Sequence, residues 1–360
     1  MDIKIESWGF FKNTQVNLYN VENENIKISL SNFGAMVQSI FVRDKNGNFI
    51  DIVLGYDALE DYLTDKFYFG VIPAIYANRI NNATFTSAEE TIFLDKNQGE
   101  HALHAGGIGK EVWGVDIEQD NNNVNIIFSI LIDDSFKGFP SGIQIKVIYS
   151  IYCSGEFTIT YEAITEKNTI INLTNHTYFN LGEHDILSHY LTINSNYILP
   201  TNSTGIPTGE LRSVYNTPFD FTEPRPIKDK INSKDQQISF GNGYDVNYIV
   251  SKQIDARSYV THPSKKNEFI VYNIATLKSD YTGIILKIKG SQPGVQLYSG
   301  NYLDGVLGKN KNIYFKHKGL CLETQHYPDS PNHISFPSVF LSPLKPYQHI
   351  VSYCFTVDKQ

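Results

Sequence analysis

The sequence predicts an all-β protein, a large antiparallel β-sandwich, and three observations support that prediction. Apolar and polar residues alternate with a period of two in several segments, these segments are rich in β-branched and aromatic residues, and Gly, Pro, Asn and Asp recur between them. No stretch shows the long, capped 3.6-residue period of a helix. These patterns favour one extended sandwich, a single domain over residues 1–360, above two separate β domains.

The clearest strand pair lies in residues 143–164. Alternating apolar residues mark one face of the first strand and then of the second: Ile143, Ile145, Val147, Tyr149 and Ile151, followed by Phe157, Ile159 and Tyr161. Ser154-Gly155 interrupts the alternation, so the segment is predicted to be a hairpin. Further strands are predicted at VNIIFSILI, EFIVYNIATL, GIILKIKG, VQLYSGNYL and HIVSYCFTV.

Charge and cysteine content exclude several kinds of protein. The 360 residues carry a net charge of −8, which argues against a generally basic binder of nucleic acid or of membrane surfaces. The longest apolar runs, such as 126–132, fall far short of the ~20 residues of a membrane span, and no signal peptide is recognised. The scattered Cys153, Cys321 and Cys354 form no pairing motif, so a reducing compartment, the cytoplasm, is expected. Sequence leaves the oligomeric state open.

Five polar clusters lie beside strong turn residues, where binding and catalytic groups concentrate. They are YANRI around Arg79, HALHAGG around His104, NHTYFNLG around His176, GYDVNY around Asp245 and LETQHYPDS around Glu323. Most also have a structural interpretation. His176 could be a satisfied core histidine, Glu323 a solvent-facing strand residue, and Arg79 and Asp245 could stabilise turns.

Metal and nucleotide chemistry are disfavoured. His101 and His104 are three residues apart and His184 and His189 five apart, but no third and fourth ligand follows at a recognised spacing. The chain has no G-x-G-x-x-G, Walker or G-x-S-x-G motif. No metal and no cofactor are therefore expected.

Several segments together resemble the aldose 1-epimerase (galactose mutarotase) family, over most of the chain and in the family's order. They are NHTYFNLG at 175–182, IPTGEL and TPFDF between 206 and 221, GYDVNYI at 243–249, QPGVQLYSGNYLDG at 292–305, and GLCLETQHYPDSPNHISFP at 319–337. The resemblance implies a β-sandwich with an open sugar-binding cleft and no cofactor. It also implies interconversion of the α and β anomers of a free aldohexose such as galactose or glucose.

The resemblance also implies roles for individual residues. Glu323 in LETQ matches the family's base, and His176 in NHTYFNL matches its acid. The positions that match those the family uses to hold the sugar are Asn78 and Arg79 in ANRI, His104, Tyr178, Asp245 in GYDVN and Gln296 in PGVQ.

Two segments depart from the family's pattern. Members usually have Gly-Arg shortly before Ala-Asn-Arg, where this chain reads Pro73-Ala74-Ile75-Tyr76. They usually read L-H-G-G followed by a Gly-Phe turn, where this chain has Leu103-His104-Ala105-Gly106-Gly107 and a shorter path to Trp113. Both departures lie next in sequence to residues expected to hold the sugar.

The expected reaction needs a base and an acid acting together. Opening a pyranose removes the proton from the anomeric hydroxyl and delivers one to the ring oxygen. A glutamate, with an ordinary pKa of about 4.3, is ionised at pH 7 unless burial raises its pKa by more than about 2.5 units, and nearby negative charge can keep a histidine protonated. We therefore expect an ionised Glu323 and a protonated His176.

Two other functions remain open at this stage. A sugar-binding sandwich could keep Arg79, His104 and Asp245 without turnover. A glycoside hydrolase could use Asp245 and Glu323 as facing carboxyl groups across a sugar bond.

Overall fold

The structure, a computed structural model, describes residues 1–87, 90–133, 136, 138–252, 257–261 and 268–358. In these residues the chain forms antiparallel β-strands joined mostly by short turns, which confirms the all-β prediction. The two α-helices of the described residues are α1 (Leu59–Thr64) and α2 (Gln236–Gly241). Neither of them has the length or the apolar run that a membrane crossing requires.

The first strands in chain order are β1 (Asp2–Phe11), β2 (Thr14–Glu22), β3 (Ile26–Ser31), β4 (Met36–Arg43), β5 (Phe49–Asp51), β6 (Arg79–Ile80), β7 (Thr84–Ser87), β8 (Glu90–Phe93), β9 (Ala102–Leu103) and β10 (Gly114–Gln119). The middle strands are β11 (Asn123–Ile132), β12 (Ile143–Tyr152), β13 (Phe157–Ile164), β14 (Thr169–Ile170), β15 (Tyr178–Phe179), β16 (Tyr190–Ile193), β17 (Tyr197–Leu199), β18 (Arg212–Ser213), β19 (Arg225–Pro226) and β20 (Asp245–Ile249). The last strands are β21 (Arg257–Thr261), β22 (Glu268–Lys278), β23 (Ile284–Gly290), β24 (Gly294–Tyr298), β25 (Val306–Leu307), β26 (Ile313–Tyr314), β27 (Leu320–Gln325), β28 (Phe340–Leu341) and β29 (Tyr347–Val357).

Three larger sheets organise the described residues. Strands β1 to β5 form an N-terminal sheet in sequence order. The longest sheet has the order β10-β11-β12-β13-β29-β23-β22-β16-β19, with β21 paired to β22. A third sheet has the order β15-β27-β24-β20-β17-β18, so that strands distant in sequence lie side by side. This third sheet carries several of the chemically interesting side chains.

The predicted hairpin is confirmed. Strands β12 and β13 pair from Gln144 opposite Ile164 to Ile151 opposite Phe157, and Gly155 turns the chain with a φ of +87°. The alternating apolar residues enter one buried cluster that also contains Ile28 of the N-terminal sheet. Since that cluster also contains residues of β20, β24 and β27, the three larger sheets pack on a shared core.

Candidate active site

All eight residues singled out by the sequence line one pocket, which we call the inner pocket. Its volume is about 180 Å³. The sequence-predicted residues in its lining are Asn78, Arg79, His104, His176, Tyr178, Asp245, Gln296 and Glu323. The fold therefore gathers these side chains from segments spread over most of the chain.

A larger space, which we call the outer cavity, adjoins the inner pocket. Its volume is about 720 Å³. The two spaces share part of their lining, namely Asn78, Arg79, Gln98, Asp245, Gln296 and Tyr302. They are thus two parts of one cleft, with Glu323 and His176 lining the inner part.

The register of the third sheet sets a row of polar side chains on the face that lines the cleft. Asn247 of β20 lies opposite Gln296 of β24, which lies opposite Glu323 of β27. Directly opposed residues in antiparallel strands point to the same face. Asp245, two residues before Asn247, shares that face and accepts a hydrogen bond of 2.7 Å from Gln296 Nε2 to its Oδ1.

Glu323 is 3% exposed, so it is not a solvent-facing strand residue. Its Oε2 has no hydrogen-bond partner among the described residues. Burial raises the pKa of Glu323 to about 8, and the charge of Asp245 raises it further while Arg79 opposes the rise. The carboxyl group is therefore mostly protonated at pH 7, contrary to the expectation from sequence.

His176 faces Glu323, with 3.9 Å between its Nε2 and Oε1 of the carboxyl group. Burial lowers the pKa of His176 to about 4. The expectation of a protonated imidazole at neutral pH is therefore also wrong. The backbone holds the residue in place, because its N–H donates to Val71 O and its carbonyl accepts from the N–H of Gly70.

His104 is held in a defined tautomer by Asn78. The backbone N–H of Asn78 donates to Nδ1 of His104 at 3.2 Å, and the N–H of His104 donates to Asn78 O. Because a backbone N–H can only donate, Nδ1 carries no proton, and Nε2 of the neutral ring carries one. Burial keeps the pKa of His104 well below its usual value, so this imidazole offers a neutral N–H donor.

Arg79 stands where the inner pocket meets the outer cavity. Its Nε donates to Gln98 Oε1 at 2.7 Å. Its guanidinium passes so close to Gly205 that a Cβ at that glycine would lie 2.9 Å from Arg79 Cζ. Gly205 has a φ of +82°, so both its backbone and its lack of a side chain fit this approach.

An aromatic wall not predicted from the sequence supports the two histidines. Tyr68 lies with its ring centroid 4.7 Å from that of His104 and 6.0 Å from that of His176. Its φ of +60° is uncommon for a large residue, and Asp65 stabilises the turn by accepting hydrogen bonds from the N–H groups of Phe67 and Tyr68. The Tyr178 hydroxyl donates to Phe67 O at 2.9 Å, which fixes the same loop to β15.

Other lining residues were also missed by sequence reasoning. Gln98 lies in a segment without a recognisable pattern. Tyr302 lies in the motif at 292–305, but nothing in the sequence places either residue beside Arg79. Tyr298 could have been found, because it follows Gln296 by two residues and therefore shares its face of the strand. Asn247 could have been found from Asp245 by the same reasoning.

The segment with the first departure, residues 73–76, lies behind the site. It is buried, and none of its residues lines the inner pocket of the described structure. The Tyr76 hydroxyl accepts from the N–H of Ser330 at 3.1 Å, and Ile75 has a φ of +70°. Ala105, the second departure, follows His104 and is likewise absent from that lining in the described chain. The departures therefore reach the pocket only through their neighbours.

The described residues contain no group of three or more His, Cys, Asp or Glu side chains arranged to hold a metal ion. Both predicted proton-transfer residues instead face one another with their polar atoms on a shared space. A carboxyl group and an imidazole that face one another in a pocket can exchange protons with a bound molecule.

Comparisons with known proteins identify the family. The family model described as Aldose 1-epimerase matches residues 17–354. Galactose mutarotase from Bos taurus is 34% identical over 348 residues, covering 95% of this chain and 94% of that protein. Aldose 1-epimerase from Haemophilus influenzae is 34% identical over 322 residues, covering 88% of each chain. The GalM/aldose epimerase homologue from C. elegans has a TM-score of 0.84 at 26% identity, covering 95% of this chain and 99% of that structure.

The chain belongs to the aldose 1-epimerase family, as the resemblance of its motifs indicated. The galactose 1-epimerase structure from Lactobacillus acidophilus, 24% identical with a TM-score of 0.84 over 99% of each chain, has the same fold. The expected large antiparallel β-sandwich is confirmed by these structures.

Proposed function

We propose that this chain is an aldose 1-epimerase that interconverts the α and β anomers of a free aldohexose, with Glu323 as the base and His176 as the acid. The observation that carries the proposal is the 3.9 Å separation of His176 Nε2 and Glu323 Oε1 in a pocket that all eight sequence-predicted residues line. The names of the curated relatives make galactose the first sugar to consider, and the resemblance of the motifs adds glucose.

The short distance between the two groups suits this reaction. The anomeric hydroxyl oxygen and the ring oxygen are bonded to the same carbon, so the groups that exchange protons with them must be close neighbours. Glycoside hydrolysis instead uses two carboxyl groups about 5–5.5 Å or about 6.5–9.5 Å apart. The group that faces Glu323 at short range is an imidazole, which favours anomerisation over hydrolysis.

The pKa values of the pair indicate where one shared proton resides. Between pH 4 and 8 the pair holds a single titratable proton. That proton resides on Glu323, because burial raises the pKa of Glu323 to about 8 and lowers that of His176 to about 4. Ring opening starts from the other arrangement, with a carboxylate and an imidazolium. It ends with a protonated Glu323 and a neutral His176, the arrangement that the pocket favours.

The pocket thus favours the protonation state that accompanies the open-chain aldehyde. Glu323 takes the proton of the anomeric hydroxyl as His176 gives one to the ring oxygen. Rotation about C1–C2 then presents the other aldehyde face to the ring oxygen. The two transfers run in reverse when the ring closes, so each group returns to its starting state and no proton is gained or lost.

The remaining residues would hold the sugar away from C1. His104 offers an N–H donor, Asp245 an acceptor and Arg79 a cationic fork, which together suit several hydroxyl groups of one ring. We assign Asn78, Tyr178 and Gln296 to the same task. A grip at the end remote from C1 leaves the anomeric carbon free to rotate.

The test is polarimetry with freshly dissolved α-anomers of a panel of free aldoses. We expect the protein to accelerate the approach to anomeric equilibrium for galactose or glucose in proportion to its concentration. Binding of these sugars without any acceleration would contradict the proposal and favour a non-catalytic carbohydrate-binding protein. Release of new reducing ends from disaccharides would favour hydrolysis.

We also propose that residues 1–360 act as one domain in the cytoplasm. The shared core of the three larger sheets supports one domain. Cys153, Cys321 and Cys354 are all free, which suits a reducing compartment.

A further inference from the structure

Asn247 is a buried amide whose hydrogen bonds are not made within the described residues. The residue is 2% exposed, and neither its Nδ2 nor its Oδ1 has a partner there. Buried side-chain amides in folded proteins are almost always paired, so each exception needs an explanation. The proposed roles of the eight predicted residues do not involve Asn247.

Another buried asparagine shows the usual arrangement. Asn172 is 0% exposed, its Nδ2 donates to Ala77 O at 3.3 Å, and its Oδ1 accepts from the N–H of His326 at 2.9 Å. Both ends of that amide stabilise the fold. Asn247 is equally buried but has no such structural duty, which points to a ligand as its partner.

The position of Asn247 indicates which part of a ligand it would meet. It lies opposite Gln296, which lies opposite Glu323, and Gln296 Oε1 and Glu323 Oε2 also lack partners among the described residues. Adjacent strands are about 4.8 Å apart, so Asn247 stands roughly 10 Å from Glu323 across the sheet. Asn247 lines the outer cavity, whereas Glu323 lines the inner pocket.

The outer cavity has the chemistry of a site for hydroxyl groups. Its lining is rich in neutral amides and hydroxyls, including Asn81, Thr201, Asn202 and Thr204. Charges of both signs occur in it, such as Arg79 and Glu100, so among the described residues it lacks the cationic cluster that a phosphate needs. An asparagine amide can donate to and accept from the same ligand group, as a hydroxyl requires.

We propose that Asn247 and the outer cavity form a second subsite, which takes a hydroxyl-bearing substituent at the end of the aldose remote from C1. The orientation rests on the proposed function, because the acid and base must meet the anomeric carbon in the inner pocket. This substituent is either the C6 hydroxymethyl group of the hexose itself or a further sugar unit attached to O6. The volume of about 720 Å³ has room for either.

The test compares the wild-type protein with Asn247→Leu on three substrates. Xylose lacks the C6 group, glucose carries it as a hydroxymethyl, and isomaltose carries a second glucose unit on O6. Since Leu has a similar size and no hydrogen bond is lost, the variant should keep the wild-type circular dichroism and melting temperature. Asn172→Leu, the matched control, should lower the melting temperature because two backbone groups lose their partner.

The expected result is a fall of at least about tenfold in the ratio of kcat/KM for glucose to that for xylose, because a site built for a hydroxyl discriminates against its absence. A fall confined to that ratio assigns the subsite to the C6 hydroxyl. A fall in the ratio of isomaltose to glucose assigns it to a second sugar unit. If neither ratio changes, the inference is wrong.

Failure of the proposed function would be recognised separately. If the wild-type protein accelerates the mutarotation of none of the three sugars, the proposed function is wrong. Calorimetric titration then measures the affinity for each sugar, and ratios of affinities replace the ratios of kcat/KM. If Asn247→Leu lowers the melting temperature as Asn172→Leu does, Asn247 has a structural partner and the inference falls. If the Asn247→Leu variant does not fold, Asn247→Ala, which removes the donor and the acceptor without adding a charge, tests the inference through the same ratios.

Discussion

Strand β12 and the row formed by β20, β24 and β27 have the same strand geometry but opposite chemistry. Along β12 the alternating residues that enter the core are apolar, as at Ile145 and Val147, and each is at most 1% exposed. On the row, Asn247, Gln296 and Glu323 are between 2% and 4% exposed, yet all are polar. Burial is therefore equally deep in the two regions.

The two regions differ in how burial affects the stability of the folded state. Burial of apolar residues stabilises the folded state by about 25 cal/mol for each Å² of apolar surface removed from water. Burial of polar groups destabilises the folded state unless they make hydrogen bonds. Each of the three row residues has at least one side-chain atom without a hydrogen-bond partner in the described chain. We infer that the row lowers the stability of the folded protein, and that a bound ligand supplies the missing hydrogen bonds. Four predictions test this contrast, the largest expected effect first.

Replacement of the central carboxyl should affect activity most. Glu323→Gln keeps the size and polarity of the side chain but removes the base, so kcat should fall by about 10³-fold, within the range for one general base. Polarimetry with α-glucose or α-galactose measures the loss. Glu60→Gln, the same change at an exposed position of α1, is the matched control and should leave kcat unchanged. Substantial turnover by the Glu323→Gln variant would exclude Glu323 as the base.

His176→Asn should separate turnover from binding. The variant loses the acid that serves the ring oxygen, so kcat should fall by about 10²-fold or more, while KM changes by only a few-fold. The measurement is the full dependence of the rate on sugar concentration. Equal losses in binding and turnover would identify His176 as a residue that holds the sugar rather than as the acid.

The activity should depend on pH through the single proton of the pair. Because burial raises the pKa of Glu323 to about 8 and lowers that of His176 to about 4, the pair holds one proton between these values. Above pH 8 no acid remains, and below pH 4 no base remains, so kcat/KM should fall about tenfold per pH unit on either side. A profile that is flat from pH 5 to 9, after correction for spontaneous mutarotation, would contradict this pair.

Stability should respond oppositely in the two regions. Because the pKa of Glu323 rises from 4.5 to about 8 on folding, protonation favours the folded state, and that stabilisation is lost as pH rises from 4.5 to 8. Glu323→Gln should therefore increase the free energy of unfolding by about 3 kcal/mol at pH 7 and by under about 1 kcal/mol at pH 5. Ile145→Ala in β12 should decrease it by about 2–5 kcal/mol at both pH values.

Urea unfolding at the two pH values measures both effects. The Ile145→Ala variant should retain its kcat, because Ile145 belongs to the core and not to the cleft lining in the described structure. A Glu323→Gln variant that is less stable than the wild type at pH 7 would mean that the buried carboxyl makes stabilising contacts, and the proposed trade between stability and ligand binding would be lost.

Much of the fold could be predicted from the sequence, because the local pattern of apolar residues in each strand matches the structure that the strand adopts. The alternation from Ile143 to Ile164 predicts its own hairpin, and the motifs around His176 and Glu323 are continuous segments. The residues gathered around Arg79 could not be predicted in the same way. Gln98 and Tyr302 meet it through tertiary packing, which leaves no periodic signal.

The protonation states of Glu323 and His176 differ from those that the sequence predicts. Glutamate and histidine have ordinary pKa values that predict a carboxylate and a partly charged imidazole. The shifts depend on how deeply the folded chain covers Glu323 and His176 and, for Glu323, on the nearby charge of Asp245. A sequence motif identifies the residue type but contains no measure of its solvent exposure.

The contact between Arg79 and Gly205 ties the position of the guanidinium to a loop outside the inner pocket. The loop that carries Gly205 touches the guanidinium on the side of the outer cavity. A methyl group there would tilt the arginine and reshape both spaces together. Substitutions at Gly205 should therefore change the sugars that the cleft accepts and, because Arg79 opposes the rise in the pKa of Glu323, the pH dependence of the activity as well.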